Sequence, residues 1–152
     1  MAHIHELIDF TVGVFIVHDD KVLLINHKKL NKWLAIGGHI ELNEDPDEAL
    51  LREVKEECGL EIKIWNNKPD IESEGTKSLY TPSYLNIHKI SGIHRHVVLV
   101  YFAKTESDKF IFNKDEHNDI RWFSEEDLER PEFNLLPEIK FGAKEALRLL
   151  GH

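Results

Sequence analysis

Glu53, Glu56 and Glu57 stand at positions i, i+3 and i+4 of the stretch REVKEECGL, residues 52–60. Acids at that spacing share one turn of a helix and repel one another by roughly a few tenths of a kcal/mol per pair. Two arrangements tolerate them. Solvent can surround an acidic surface, or the acids can share a hard cation such as Mg²⁺ or Mn²⁺, which takes oxygen ligands. The spacing leaves both open. In the second case, the cation would reverse the local sign and keep an acidic surface compatible with a small phosphorylated ligand.

Three acids can act together only if an element holds them. On a helical wheel of about 100° per residue, Glu57 lies about 40° to one side of Glu53 and Glu56 about 60° to the other. Leu50, Leu51, Val54 and Cys58 occupy the adjoining face, so the helix needs a sheet beside it and leaves its acids, flanked by Arg52, along one edge. Asp45 is a good N-cap, Pro46 suits the first helical position, Glu48 falls where a capping-box acid belongs, and Gly59 is placed to stop the helix.

Upstream, FTVGVFIVHDDKVLLINH reads as two apolar runs around His18–Lys21, a hairpin signal. KWLAIGGHIEL continues in strand-like fashion, broken by Gly37 and Gly38, where the backbone can bend or approach a ligand closely. Downstream, strands are expected at 60–66, 84–90, 95–103 and 119–123. Ser124 with Asp127 opens a short helix, and Pro137 to Leu150 forms a closing helix ended by Gly151. Residues 67–83 show little periodicity and read as a long loop. The pattern is that of an α/β or α+β domain with helices packed on a central sheet.

A chain of 152 residues fits one domain, 1–152, and its 41% hydrophobic and 31% charged residues are those of a soluble globular protein. A net charge of −9 argues against a nucleic-acid partner, while a small phosphorylated ligand stays compatible through a bound cation. Cys58 is the single cysteine, so no intramolecular disulfide forms and a reducing compartment is expected. The N-terminal MAHIHELIDF lacks the basic and apolar regions of a signal peptide, and TVGVFIV is too short to span a bilayer. The expectation is a cytoplasmic protein without a membrane partner.

The whole stretch GHIELNEDPDEALLREVKEECGL, residues 38–60, follows G-x5-E-x7-R-E-U-x-E-E-x-G-U, where U is aliphatic. This resembles the Nudix box, the signature of the Nudix hydrolase family, and every fixed position matches. The resemblance extends more loosely to the strand pair before the box, to KWLAIGG leading in and to EHNDIRWFSEEDL after it. One departure is Ile36, where family members commonly carry Pro before the paired glycines; no chemical group is lost by it.

The resemblance implies a Nudix-like α/β/α sandwich, with a mixed central sheet carrying the loop–helix–loop. It also implies a pyrophosphohydrolase that cleaves a nucleoside diphosphate linked to another moiety with Mg²⁺ or Mn²⁺. Carried over, Glu53, Glu56 and Glu57 are metal ligands, Glu53 or Glu56 also orients or deprotonates water, and Gly37 or Gly38 offers a backbone carbonyl. Glu44, Arg52, Gly38 and Gly59 keep the loop–helix–loop in shape. Glu116, in EHNDIRW before the late strand, is the candidate for a further ligand or general base; a surface acid beside Asp115 is its other reading. The implied partner is a small nucleotide, and a homodimer accords with the family's habits.

Other residues carry weaker signals. His94 and His96 alternate along a strand and face one side, where they line a substrate cleft, sit at a polar sheet edge or form half of a transition-metal site; Arg95 points the other way. Trp33, Tyr80 and Tyr84 could stack on a base or simply pack in the core. Lys28, Lys29 and Lys32 lie in a turn that could meet phosphate or only solvent, and Cys58 reads as buried filler. Two further functions belong to the comparison. A nucleotide-sensing module that binds without turnover typically has a degraded box or an attached DNA-binding domain, whereas here the box is intact. An isoprenoid-diphosphate isomerase needs a catalytic cysteine outside the box, and Cys58 lies inside it. Among hydrolase substrates, nucleoside triphosphates, nucleotide sugars and similar compounds all stay open.

Overall fold

The computed structural model describes residues 6–152; the first half of the N-terminal stretch read above for a signal peptide, residues 1–5, lies outside them. Eight strands form one mixed sheet: β1 (Ile8–His18), β2 (Lys21–His27), β3 (Lys32–Leu34), β4 (Ile36–His39), β5 (Lys63–Trp65), β6 (Tyr84–Ser91), β7 (His94–Lys104) and β8 (His117–Phe123). Three α-helices, α1 (Pro46–Glu57), α2 (Glu125–Leu128) and α3 (Pro137–Leu150), and a 3-10 turn at Pro131–Phe133 complete the order.

β1 and β7 are the axis. They run parallel in register from Ile8 opposite Arg95 to Val17 opposite Lys104. The outer edge of β1 is divided between β4, at Thr11–Val14, and β2, at Ile16–His18. The outer edge of β7 is divided in the same way between β6 and β5. β2 carries β3 and β8.

Side-chain alternation on β1 sorts the two cores. Val12, Val14 and Ile16 pack with Ala49, Leu50, Val54 and Cys58 of α1, whereas Phe15 and Val17 pack with Ala143, Ala146 and Leu150 of α3. A strand buried on both faces must read as a continuous apolar run, which is why TVGVFIV does. The result is the expected α/β/α layering on a central mixed sheet. Burial of Leu50 and Val54 anchors α1, at about 1.5–3 kcal/mol for each such side chain.

The helix ends follow their local signals. Asp45 accepts from the Glu48 backbone N–H while Glu48 accepts from that of Asp45, and Ser124 with Asp127 forms a second reciprocal box. Gly59, at φ +67°, takes the left-handed conformation that stops α1, with its N–H on the Val54 carbonyl at 2.9 Å. The expected break at Gly37 and Gly38 is corrected: the interruption falls at Ala35, and both glycines lie inside β4, opposite Gly13 and Val12. The physical reason is close approach, since a Cβ on Gly37 would collide with the Val12 carbonyl.

Residues 67–83 carry no named strand, only an isolated bridge between Ser73 and Thr76. The loop docks on the start of α1: Lys77 Nζ lies 2.5 Å from Asp45 Oδ2, and the Tyr80 N–H donates to Asp47 Oδ2 at 3.2 Å. Among the described residues, no helix is long and apolar enough to cross a membrane.

Candidate active site

The acidic edge of α1 is organised around Arg52. Its Nη2 and Nε reach Glu44 at 2.6 Å and 3.0 Å, and Nη1 donates to Glu53 at 2.9 Å and to Glu56 at 3.3 Å. Nη2 also donates to the carbonyl of His39 at the end of β4, at 3.0 Å. Glu44 in turn accepts the Glu41 N–H at 2.9 Å. One guanidinium therefore ties together helix, entering strand and connecting loop, using the fixed fork of donors that lysine lacks. These bonds hold the Glu44 carboxyl below its usual range and raise Arg52 above its own.

Glu57 is in a different situation. It is 7% exposed, and its one neutral partner is the Gly37 N–H, which donates to Oε2 at 3.4 Å. No basic side chain of the described residues pairs with it. Burial first, and then the neighbouring Glu53, push its carboxyl up to about 9, while Glu116 adds a smaller push in the same direction. Glu53 is also raised, by burial foremost, against the opposing pull of Arg52. Two largely buried carboxyls, of which only Glu53 meets a guanidinium, are an unfavourable set in isolation, and an added positive charge would relieve it.

The backbone makes room for this set. A Cβ on Gly38 would run into the Glu53 carboxylate, so glycine here is a spatial requirement of the acid rather than of a turn. Glu56 is largely exposed at the rim. Glu116, 66% exposed, arrives from the loop before β8 and is close enough to act on Glu57 electrostatically; its one ion-pair neighbour is His117 Nε2, at 3.8 Å. The fold thus gathers Gly37, Gly38, Glu44, Arg52, Glu53, Glu56, Glu57 and Glu116 in one place. Cys58 is fully buried, with its thiol donating to the Val54 carbonyl at 3.2 Å and pushed up to about 11 by burial, an inert setting.

The aromatic candidates are placed elsewhere. Trp33 packs edge-on against Phe123 and Phe133, and Tyr84 against Phe102 and the exposed Phe141; Trp33 and Tyr84 are partly buried against the core on the α3 side. Tyr80 packs on the α1 side, beneath Lys68, whose Nζ sits 4.4 Å from the ring centre. Lys28 and Lys29 occupy the exposed turn before β3 and Lys32 its first residue. His94 and His96 share a face as expected, but their common partner is Asp9 of β1, at 2.8 Å and 3.1 Å. His39 joins the same oxygen at 3.3 Å. Asp9 and His39 carry no sequence signal beyond their residue types, because only strand pairing brings them together.

The sequence profile of the NUDIX domain matches residues 8–150. A hydrolase of the NUDIX family from Clostridium perfringens is 42% identical with a TM-score of 0.83, covering 93% of this chain and 97% of that one. A MutT NUDIX hydrolase from Burkholderia pseudomallei is 25% identical with a TM-score of 0.66, covering 95% and 99%. Diphosphoinositol polyphosphate phosphohydrolase 3-alpha from Mus musculus is 40% identical over 47 residues, which span 30% of this chain and 29% of that protein. With the box residues assembled on α1 and its flanking loops, and with a match over nearly the whole chain, the protein belongs to the Nudix hydrolase family.

Proposed function

We propose that the protein hydrolyses the pyrophosphate linkage of a nucleoside diphosphate joined to another moiety, such as a nucleoside triphosphate or a nucleotide sugar. In this reading Mg²⁺ or Mn²⁺ is held by Glu53, Glu56, Glu57 and the carbonyl of Gly37. The observation that carries it is the buried Glu57 carboxyl, set against Glu53 and lacking a basic partner among the described residues. The donors are all oxygen, which suits a hard cation, and Gly38 leaves the space that Glu53 occupies.

When bound, the cation neutralises phosphate oxygens and lowers the pKa of a water. The residues do the rest. Arg52 and Glu44 fix the path of the loop and the aim of Glu53 and Glu56, so that ligands are preorganised before substrate arrives. Glu116 takes the proton as water oxygen bonds to phosphorus and the bridging P–O bond breaks; the phosphate on the other side leaves with the bridging oxygen. Glu53 and Glu56, both engaged by Arg52, are better placed as ligands than as that base. The single buried cysteine and the acidic composition support a reducing, cytoplasmic setting with a small nucleotide as partner.

The test is a phosphate-release screen of nucleoside triphosphates, nucleotide sugars, dinucleotides and ADP-ribose with Mg²⁺ or Mn²⁺, run beside Glu57→Gln and Glu116→Gln. Turnover of one class, abolished in Glu57→Gln with the fold intact, is the expected outcome. Binding without turnover across the panel would replace hydrolysis by nucleotide sensing. Full turnover in Glu116→Gln at saturating Mg²⁺ would remove Glu116 as the base.

A further inference from the structure

On the sheet face opposite α1, three imidazoles converge on one carboxylate oxygen. The Nε2 atoms of His94, His96 and His39 lie 2.8, 3.1 and 3.3 Å from Asp9 Oδ2. Pairing across three strands creates this cluster. Asp9 of β1 stands opposite His96 of β7, His94 is two residues earlier on the same face, and His39 of β4 arrives from the other side of β1, opposite Thr11. His88 of β6, opposite His96, adds a fourth ring with its centre 5.6 Å from that of His96.

We propose that Asp9, His39, His94 and His96 form a binding site for a borderline-soft divalent cation of the Zn²⁺ class. The donor set differs in kind from that of α1: three imidazole nitrogens and one carboxylate oxygen suit Zn²⁺, Co²⁺ or Ni²⁺, whereas an all-oxygen set suits Mg²⁺. The spacing also fits. Metal–ligand distances of about 2.0–2.2 Å in a tetrahedron place ligand atoms about 3.3 Å apart. The ligand atoms of Asp9, His94 and His96 already lie within 4.8 Å of one another, whereas His39 stands outside that set: its Nε2 is 3.3 Å from the carboxylate oxygen, and its exposed ring would have to turn inward to complete the four.

The site is accessible and partly preorganised. His96 is 18% exposed, Asp9 31% and His39 58%, so a cation can enter from the His39 side without opening the sheet. Burial, and then the neighbouring His39, favour neutral His96, which is the form that coordinates. A bound cation would join β1, β4 and β7 at one point. It would thereby hold His39, whose carbonyl accepts from Arg52, and with it the end of the strand entering the acidic site.

The experiment measures metal content after chelator treatment, incubation with Zn²⁺ and dialysis against excess Mg²⁺, with Co²⁺ absorption as a second readout. The wild type should retain Zn²⁺, and its Co²⁺ form should show the visible bands of a four-coordinate site. The doubly substituted His94→Ala, His96→Ala protein should carry one equivalent less and lose the bands. Asp9→Asn and His39→Ala, tested singly by the same readouts, should weaken retention and cover the case in which the double variant does not fold. Glu57→Gln should retain the equivalent. Absence of retained Zn²⁺ in the wild type overturns the proposal, as does an unchanged content in the histidine and Asp9 variants. Loss confined to Glu57→Gln would reassign the ion to the acidic site.

Discussion

Arg52 grips Glu44 through two nitrogens, Nη2 at 2.6 Å from Oε1 and Nε at 3.0 Å from Oε2, across a separation of eight residues. The remaining terminal nitrogen, Nη1, is thereby left aimed at Glu53 and Glu56. In Glu44→Gln the carboxylate that anchors the guanidinium is gone, and Arg52 is free to compete with a cation for the two helix acids. Activity should fall by about 10–100-fold, the usual consequence of losing a group that orients metal ligands, and the loss should shrink as Mg²⁺ is raised. Arg52→Lys should not restore wild-type behaviour in any background, since an ammonium cannot bridge four acceptors in a plane. Titrating kcat/KM against Mg²⁺ for both variants checks this.

Gly37 and Gly38 are neighbours with opposite expected phenotypes. A Cβ on Gly37 meets the backbone of Val12 and Gly13, which cannot step aside without spreading β4 from β1. Gly37→Ala should therefore lower stability, by about 1–3 kcal/mol as for other overpacked sites, and activity along with it. A Cβ on Gly38 meets only the far end of the Glu53 side chain, which can swing away. Gly38→Ala should unfold near the wild-type denaturant midpoint yet lose most of its turnover. Denaturation curves and rates measured on the same preparations separate the two cases.

The Glu57 carboxyl predicts how the metal-free protein responds to pH. Its folded value, about 9, lies above its ordinary 4.5, so the folded state binds this proton more tightly than the unfolded state. The associated stability is fully present below about 4.5 and is lost as pH rises through about 9. In chelator, the melting temperature should decline across that window, with the decline flattened in Glu57→Gln. Added Mg²⁺ should recover more stability at pH 8 than at pH 6, because the ion binds the deprotonated form. The same substitution should reduce kcat by about 10²–10³-fold, the loss expected when several kcal/mol of charge stabilisation disappears. Thermal melts over a pH series, with and without Mg²⁺, test the sign.

Much of the architecture around the acids is local and therefore legible in the chain itself. Asp45 and Glu48 cap α1 reciprocally, Gly59 ends it, Ser124 and Asp127 start α2, and Pro137 to Leu150 bounds α3. Each of these signals acts over a few residues of backbone, so no distant contact is needed to make it true. The spacing of Glu53, Glu56 and Glu57 belongs to the same category, because one helical turn brings them together wherever the helix sits.

Tertiary structure decided what depends on strands meeting. Gly37 and Gly38 read as a break, yet they are the residues that let β4 close on β1 and admit Glu53. Trp33 and Tyr84 could stack on a base, though such residues more often pack, and in the sheet they pack edge-on against Phe123 and Phe102, partly buried. Asp9 and His94 are 85 residues apart, and only the parallel register of β1 and β7 sets them 2.8 Å from each other. The acid spacing needs no more than the pitch of a helix. The histidine cluster needs three strands in register, a condition that residue types along the chain do not encode until the sheet has formed.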